Sequence, residues 1–260
     1  AVIAATTRNP EAAGAVYPFP LIEDGDFDIP NAFLTSEAAT ALLALAGAPV
    51  RVRVDSRRIP ATGRHLVARK PGTGSGRIVV FAHIDGRKGI PAALDNASGA
   101  ASLLVLAGLL EHHVGPHTIE IVPLNGEDYY GANGQNIWMR DNRDRLGEIV
   151  LGMNADDSGH VGHGTYVSFY GCPPETDALV RGLFDRYPGF GEGPQWPQGD
   201  HSLFAFNGVP AIAFTAEDFM ETFHTITHTL NDQPELVDPA IVADVARFMA
   251  DVIAGLSASS

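Results

Sequence analysis

Residues 77–96, RIVVFAHIDGRKGIPAALDN, join a strongly apolar run to a group of histidine and aspartate side chains. Residues 78–82 are β-branched, aromatic or small, which is typical of a buried strand. His83 and Asp85 follow this run directly, and Asp95 precedes a stretch whose apolar residues recur at helical spacing. A strand followed by a helix is the repeating unit of a parallel sheet. The stretch therefore predicts an α/β fold with polar groups where the strand ends.

Strand-like and helix-like runs alternate from about residue 50 onward. The predicted strands are 50–55, 64–70, 77–85, 118–128, 148–157, 165–171 and 208–218. The predicted helices are 96–113, 175–188 and 239–256. The expected fold class is α/β, with a mostly parallel twisted sheet flanked by helices.

The N-terminal sixty residues have a different pattern. Residues 35–47, TSEAATALLALAG, predict a short helix that is capped by Thr35 or Ser36 and ends at Gly47. We therefore expect residues 1–60 to form a small subdomain or the edge of a lid, and residues 61–260 to form the main domain.

The charge of the chain excludes several classes of partner. It has 17 basic and 31 acidic residues, which give a net charge of −14. Nucleic acids and anionic membrane surfaces are therefore not expected partners. Cys172 is the single cysteine, so an intrachain disulfide and a cysteine-based zinc site are excluded, while the compartment and the oligomeric state stay open.

Four predicted strands end on possible metal ligands. Because parallel strands present their carboxyl ends at one edge of a sheet, we expect these side chains to meet there. They are His83 and Asp85, Glu127 and Asp128, Asp156 and Asp157, and, after a short loop, His224. Imidazole mixed with carboxylate suits zinc, and the set exceeds the needs of one tetrahedral ion. Two zinc ions that share a carboxylate would use it fully.

Six motifs of this chain resemble those of metallopeptidase family 28, the co-catalytic di-zinc aminopeptidases. They are AHID at 82–85, ALDNASGAA at 93–101, NGED at 125–128, NAD at 154–156, GDHSLF at 199–204 and FHTITHT at 223–229. The resemblance extends over about residues 77–240 and implies a zinc-exopeptidase-like fold. Residues 29–60 also resemble the closing part of a protease-associated domain.

The resemblance implies five metal ligands. His83 and Asp156 would hold one zinc ion, Asp128 and His224 would hold the other, and Asp95 would bridge the two. The family usually has glutamate at the position of Asp128, so this ligand is one methylene shorter. The strand end must then shift inward, or the second zinc must bind more weakly.

The resemblance also implies roles for two further carboxylates. Asp85 would fix the tautomer of His83, and Glu127 would be the general base that activates a metal-bridging water. The family often has aspartate at the position where this chain has His228, so His228 remains a rival ligand to His224.

The expected function is that of a zinc-dependent exopeptidase that removes an apolar N-terminal residue from peptides. The predicted substrate-binding residues are Asp200, His201, Phe204, Phe219 and Phe223. Residues 187–246 contain no lysine or arginine, which favours a substrate with a free ammonium group. The alternatives are a glutaminyl-cyclase-like enzyme with one zinc, a carboxypeptidase-like enzyme that uses Arg87 or Lys88, and a non-catalytic module of the transferrin-receptor type.

His160 and His163, in GHVGHG at 159–164, form a further possible metal site. Because no carboxylate follows them closely in the sequence, we expect them to lie in a solvated loop instead.

Overall fold

A mixed seven-stranded sheet forms the centre of the fold. The computed structural model describes residues 2–5, 31–34, 36–53, 55, 60, 62–87, 89–128, 133–196 and 199–258. The strands are β1 (Val2–Ala5), β2 (Asn31–Leu34), β3 (Ala68–Lys70), β4 (Arg77–His83), β5 (Thr118–Leu124), β6 (Ile149–Ala155), β7 (Thr165–Tyr170), β8 (Phe190–Glu192) and β9 (Ala211–Ala216). The helices are α1 (Ser36–Leu43), α2 (Gly99–Leu109), α3 (Asn133–Asn142), α4 (Pro174–Leu183), α5 (Ser202–Ala205), α6 (Phe219–Thr225) and α7 (Pro239–Ala258).

The strand order in the central sheet is β3-β5-β4-β6-β9-β7-β8. Strands β5, β4, β6 and β9 are neighbours that run parallel to one another. The antiparallel pairings are those of β3 with β5 and of β7 with β9. The mostly parallel α/β sheet is therefore confirmed, and the carboxyl ends of its four middle strands lie along one edge.

Helices cover both faces of the sheet. Every residue of β4 is buried, and its side chains alternate between the two faces, as the period of a strand requires. Ile78 and Val80 pack toward α2, α4 and α7, whereas Phe81 packs with Trp138 of α3 and Phe204 of α5. The apolar layers on either side fix the direction of β4 and hence the position of His83 at its end.

Two strand predictions need correction. The described residues of 50–55 form no strand, and their side chains are exposed, so the alternating pattern there does not face a core. Of the predicted strand 64–70, only Ala68–Lys70 forms a strand. This strand, β3, lies at the edge of the sheet and pairs with β5. The short strand β8 was not predicted.

The N-terminal residues form their own small unit among those described. Strands β1 and β2 pair in parallel as a separate two-stranded sheet, and α1 follows β2. Thr35, one of the two predicted caps, lies outside the described residues. The domain boundary near residue 60 stays a prediction. Among the described helices, none combines the length and the apolar character needed to cross a bilayer.

Candidate metal centre

The ends of β4, β5 and β6 bring four of the five predicted ligands together. His83 is the last residue of β4, Asp156 follows β6, and Asp128 lies in the loop after β5. Asp95 lies in the segment Ala93–Ser98 before α2, where its own backbone is not helical, and its peptide bond with Asn96 is cis. All four side chains are buried. Their convergence follows from the shared direction of neighbouring strands.

The first group of possible ligands consists of His83, Asp95 and Asp156. The Nε2 atom of His83 lies 3.1 Å from Asp95 Oδ1 and 3.2 Å from Asp156 Oδ1. Donor atoms at the corners of a zinc tetrahedron with bonds of about 2.0–2.1 Å are about 3.3 Å apart. The spacing of this group therefore fits a zinc ion.

The second group consists of Asp95, Asp128 and His228. The Nε2 atom of His228 lies 3.1 Å from Asp95 Oδ2 and 2.6 Å from Asp128 Oδ1. The two oxygens of Asp95 thus face different histidines, which is the arrangement of a bridging carboxylate. Asp128, although shorter than glutamate, reaches the second histidine.

The structure favours His228 over His224 as the second histidine of the centre. His224 lies on α6 with an exposed side chain, and its ring contacts Phe223. Helix α6 ends at Thr225, and the chain then turns back at His228, whose φ is 62°. This reversal directs His228 to the carboxylates, while His224 remains on the helix surface.

Asp85 acts differently from the prediction. Its carboxylate accepts hydrogen bonds from the backbone N–H groups of Gly126 at 2.6 Å, Glu127 at 3.1 Å and Asp128 at 3.1 Å. The nearer partner of His83 Nδ1 is the main-chain oxygen of Asp85, at 3.0 Å, because the Oδ1 atom is 3.9 Å away. The carbonyl thus orients the imidazole, and the carboxylate holds the loop that carries Glu127 and Asp128.

Asp232 is a site residue that the sequence analysis missed. It is fully buried, and its carboxylate accepts the backbone N–H groups of Leu94 at 2.6 Å and Asp95 at 3.1 Å. These bonds fix the backbone of the bridging residue. Asp232 follows His228 by four residues, but nothing in the sequence alone gives that spacing a meaning.

Glu127 lies beside both groups but is a member of neither. Its Oε2 atom is 3.7 Å from His83 Nε2, and its side chain is buried. Burial raises the pKa of Glu127 well above its ordinary value, and the negative charge of Asp200 and Asp156 adds to this effect, although His83 opposes it. A carboxylate in this environment has a strong tendency to take up a proton.

The histidines and carboxylates of the centre influence one another's protonation. Burial opposes the protonation of His228, but hydrogen bonds to Asp128 and Asp95 outweigh it and raise its pKa to about 9. For His83, the carboxylates of Asp156 and Glu127 likewise outweigh burial and raise the pKa well above its usual value. Since zinc coordinates neutral imidazole, zinc binding here must release protons.

The charges and donors of this centre fit zinc. Several buried carboxylates lie close together, and such a set requires compensating positive charge. Asp128 Oδ2 is buried and accepts no hydrogen bond from the described residues, so it can serve a metal. The mixture of imidazole and carboxylate donors matches the preference of zinc rather than that of magnesium or calcium.

A cavity of about 300 Å³ opens onto the centre. Its apolar walls are formed by Trp196, Phe219, Met220 and Phe223, and its floor includes Asp95, Glu127, Asp128, Asp156 and His228. Two of the predicted substrate-binding residues, Phe219 and Phe223, therefore line it. The walls suit an apolar side chain next to the possible metal ligands.

The other three predicted substrate-binding residues lie outside the lining of this cavity. Phe204 is fully buried and stacks on Phe81 with 4.6 Å between ring centroids, so it belongs to the core. His201 lies behind Trp196, with 4.1 Å between ring centroids, and donates from Nε2 to the Trp196 carbonyl. Asp200 is fully buried and accepts a hydrogen bond of 2.8 Å from Gln135.

Solved structures of several enzymes resemble this chain. An aminopeptidase from Aneurinibacillus sp. strain AM-1 has a TM-score of 0.66 and 20% identity, with 86% of this chain and 56% of that chain covered. For BSAP, a zinc aminopeptidase from Bacillus subtilis, the TM-score is 0.71 and the identity 16%, over 96% of this chain and 62% of that one. An Acidobacteriales bacterium glutaminyl cyclase has a TM-score of 0.62 and 17% identity, with 75% and 74% covered. This chain thus spans less than two thirds of the two aminopeptidases.

The sequence comparisons agree with the resemblance carried by the six motifs. No curated protein matches the chain. The family model of peptidase family M28 matches residues 65–253, which is well over half of the chain and includes every ligand of the candidate metal centre. The chain therefore belongs to peptidase family M28.

Proposed function

We propose that this protein is a zinc-dependent aminopeptidase that removes an apolar first residue from peptides. The proposal is carried by the shared Asp95, whose two carboxylate oxygens face His83 and His228 at 3.1 Å each, beside Glu127 at the floor of an apolar cavity. His83 and Asp156 would hold one zinc ion and Asp128 and His228 a second, with Asp95 common to both. When bound, zinc polarises a substrate carbonyl and favours the deprotonation of water.

Glu127 moves the proton in this proposal. Its carboxylate would accept a proton from the water that attacks the scissile carbonyl, and then deliver it to the nitrogen of the leaving amine. Burial raises the pKa of Glu127, which makes its carboxylate a better proton acceptor than an exposed one. The backbone N–H groups of residues 126–128 donate to Asp85, and these hydrogen bonds keep the Glu127 carboxylate in position.

The charges around the cavity support a substrate with a free N-terminal ammonium group. Asp95, Asp128, Asp156 and Asp157 all line the cavity. Arg87, which a carboxypeptidase could use to bind a substrate carboxylate, has its Nε atom 3.8 Å from Asp128 Oδ1 and does not line the cavity. Lys88 lies outside the described residues. Among the described residues, no lysine or arginine lines the cavity, so no cationic side chain there could bind a substrate carboxylate.

The test compares leucine-initiated peptides that have a free or an acetylated α-amine, with added zinc. We expect cleavage of the free peptide and none of the acetylated one. Glu127→Gln keeps the shape of the side chain, and it should lower kcat by about 10²–10⁴-fold with bound zinc unchanged. Full activity of that variant, or equal rates on both peptides, would refute the proposal.

A glutamine-initiated peptide separates the cyclase alternative in the same assay. An aminopeptidase releases free glutamine, whereas a glutaminyl cyclase releases ammonia and leaves the peptide chain intact. Ammonia without free glutamine would favour the cyclase.

A further inference from the structure

A second cluster of possible ligands, His160, His163 and Asp218, lies outside the candidate metal centre. The Oδ2 atom of Asp218 is 2.9 Å from His160 Nδ1 and 3.5 Å from His163 Nε2. The two imidazole rings are nearly parallel, with 4.6 Å between centroids and an interplanar angle of 6°. The cluster shares no residue with either group of the centre.

The backbone builds the pair of histidines from a tight turn. His163 donates its N–H to the carbonyl of His160, and Gly162 takes the positive φ of 79° that this turn requires. His160 forms a β-bridge with Val237, and Val161 donates to the carbonyl of Leu236. The turn is therefore held by its backbone, and its two side chains project together.

Asp218 reaches the histidines from a different part of the chain. It lies after β9, immediately before α6, while the turn lies in the loop after β6. Strands β6 and β9 are parallel neighbours, so the two loops leave the sheet side by side. This explains the failure of the sequence analysis to find a carboxylate partner, because Asp218 is 58 residues from His160.

The donor atoms have the spacing of a zinc site. All three lie within 4.8 Å of one another, and the two measured separations lie on either side of the roughly 3.3 Å edge of a zinc tetrahedron. Asp218 Oδ1 is buried and has no hydrogen-bond partner among the described residues. Glu217 Oε1 lies 3.9 Å from His163 Nδ1, on the ring atom that faces away from the cluster, as an orienting carboxylate would.

We propose that His160, His163 and Asp218 bind a zinc ion that is separate from the centre. An ion lies in the plane of the imidazole that binds it, so one of the two parallel rings must turn toward the ion. The side chain of His163 is 37% exposed and has room for this turn, and water can complete a tetrahedron. The ion would tie the loop after β6 to the start of α6. Because Phe219, Met220 and Phe223 of α6 line the apolar cavity, it would also stabilise the wall that contacts the substrate.

Zinc content measures this site directly. The full chain and its variants are saturated with zinc, desalted, and analysed by mass spectrometry for zinc per chain. We expect His163→Ala to hold one ion fewer than wild type. The matched control is His112→Ala, since His112 is also a histidine but is 91% exposed at the end of α2, and it should equal wild type.

The difference between variant and wild type is independent of the proposed function. Whether the candidate metal centre holds one zinc ion or two, it adds the same number to wild type and to the variant. Zinc per chain can also be measured on a protein that has no peptidase activity. Asp218→Asn preserves the shape of the side chain and should also lose one zinc ion. This variant replaces His163→Ala in the test if His163→Ala does not fold. Equal zinc in wild type and in the folded variants would overturn the proposal.

Hydrogen exchange tests whether the proposed zinc ion stabilises the start of α6. Glu221 and Thr222 donate their N–H groups to the Asp218 carbonyl. In zinc-saturated protein, we expect peptides that span 216–224 to exchange faster in His163→Ala than in wild type. Unchanged exchange would refute the stabilising role.

Discussion

In the proposed centre, the imidazole of His228 would hold the second zinc ion. We expect His228→Ala to lose one zinc ion relative to wild type, because it removes the nitrogen that faces both Asp95 and Asp128. His224→Ala should retain wild-type zinc, since that side chain is exposed on α6. Zinc per chain, measured on both variants in parallel, checks the prediction, and a loss in His224→Ala alone would contradict it.

His201 makes the folded protein sensitive to acid. Burial lowers the pKa of His201 to about 4, so the ring stays neutral in the folded protein at pH 5, whereas the unfolded chain binds a proton there. The stability due to the neutral ring is complete above pH 6.5 and is lost as the pH falls toward 4. Between pH 7.5 and 5 the loss is about 2 kcal/mol.

Denaturant unfolding of the zinc-free protein at these two pH values measures the effect. Glutamine can still donate to the Trp196 carbonyl but does not titrate, so His201→Gln should show a smaller decrease in unfolding free energy than wild type. His112→Gln is the exposed control. An equal decrease in wild type and His201→Gln would show that His201 is not responsible.

Most residues of the candidate centre could be predicted from residue type and position near strand ends, but the choice between His224 and His228 could not. Both are followed by threonine, and the sequence does not reveal where α6 ends. The chain reversal at His228 depends on tertiary packing. The proximity of His160 and His163 to Asp218 also depends on tertiary packing, so the sequence could not predict it.

At the scale of elements, the loop after β5 depends on Asp85. Asp85→Asn replaces an acceptor oxygen with a donor that faces backbone N–H groups, and hydrogen bonds to a charged group contribute about 1.5–3 kcal/mol. We expect weaker zinc binding and a lower kcat, because Glu127 and Asp128 both lie on this loop. Zinc affinity and kcat are measured beside Asp144→Asn, whose side chain is exposed. Wild-type values in Asp85→Asn would contradict this role.

The buried strands were predictable, and the edges were not. Strands β4, β5, β6 and β9 have long apolar runs because helices cover both of their faces. The run 50–55 has the alternation of a strand but meets no partner among the described residues, and β8 has only three residues. At edges, pairing rather than periodicity decides whether a strand forms.

The net charge of the whole molecule affects the capture of substrate. With a charge of −14, we expect kcat/KM for a cationic substrate such as leucinamide to fall as salt concentration rises, because salt screens the attraction. For leucyl-glutamate, which carries two carboxylates, kcat/KM should fall less or rise. Initial rates over a salt series test this, and parallel slopes for the two substrates would contradict it.

The bonds from Asp232 to Leu94 and Asp95 join positions 138 and 137 residues apart in the chain. Contacts of such long sequence separation form late, since a large loop must close before they contribute. On the ribosome, β4, β5 and β6 are synthesised well before residue 228 or 232 emerges. We therefore expect a nascent chain to form the strands of its sheet before residues 228 and 232 complete the candidate metal centre.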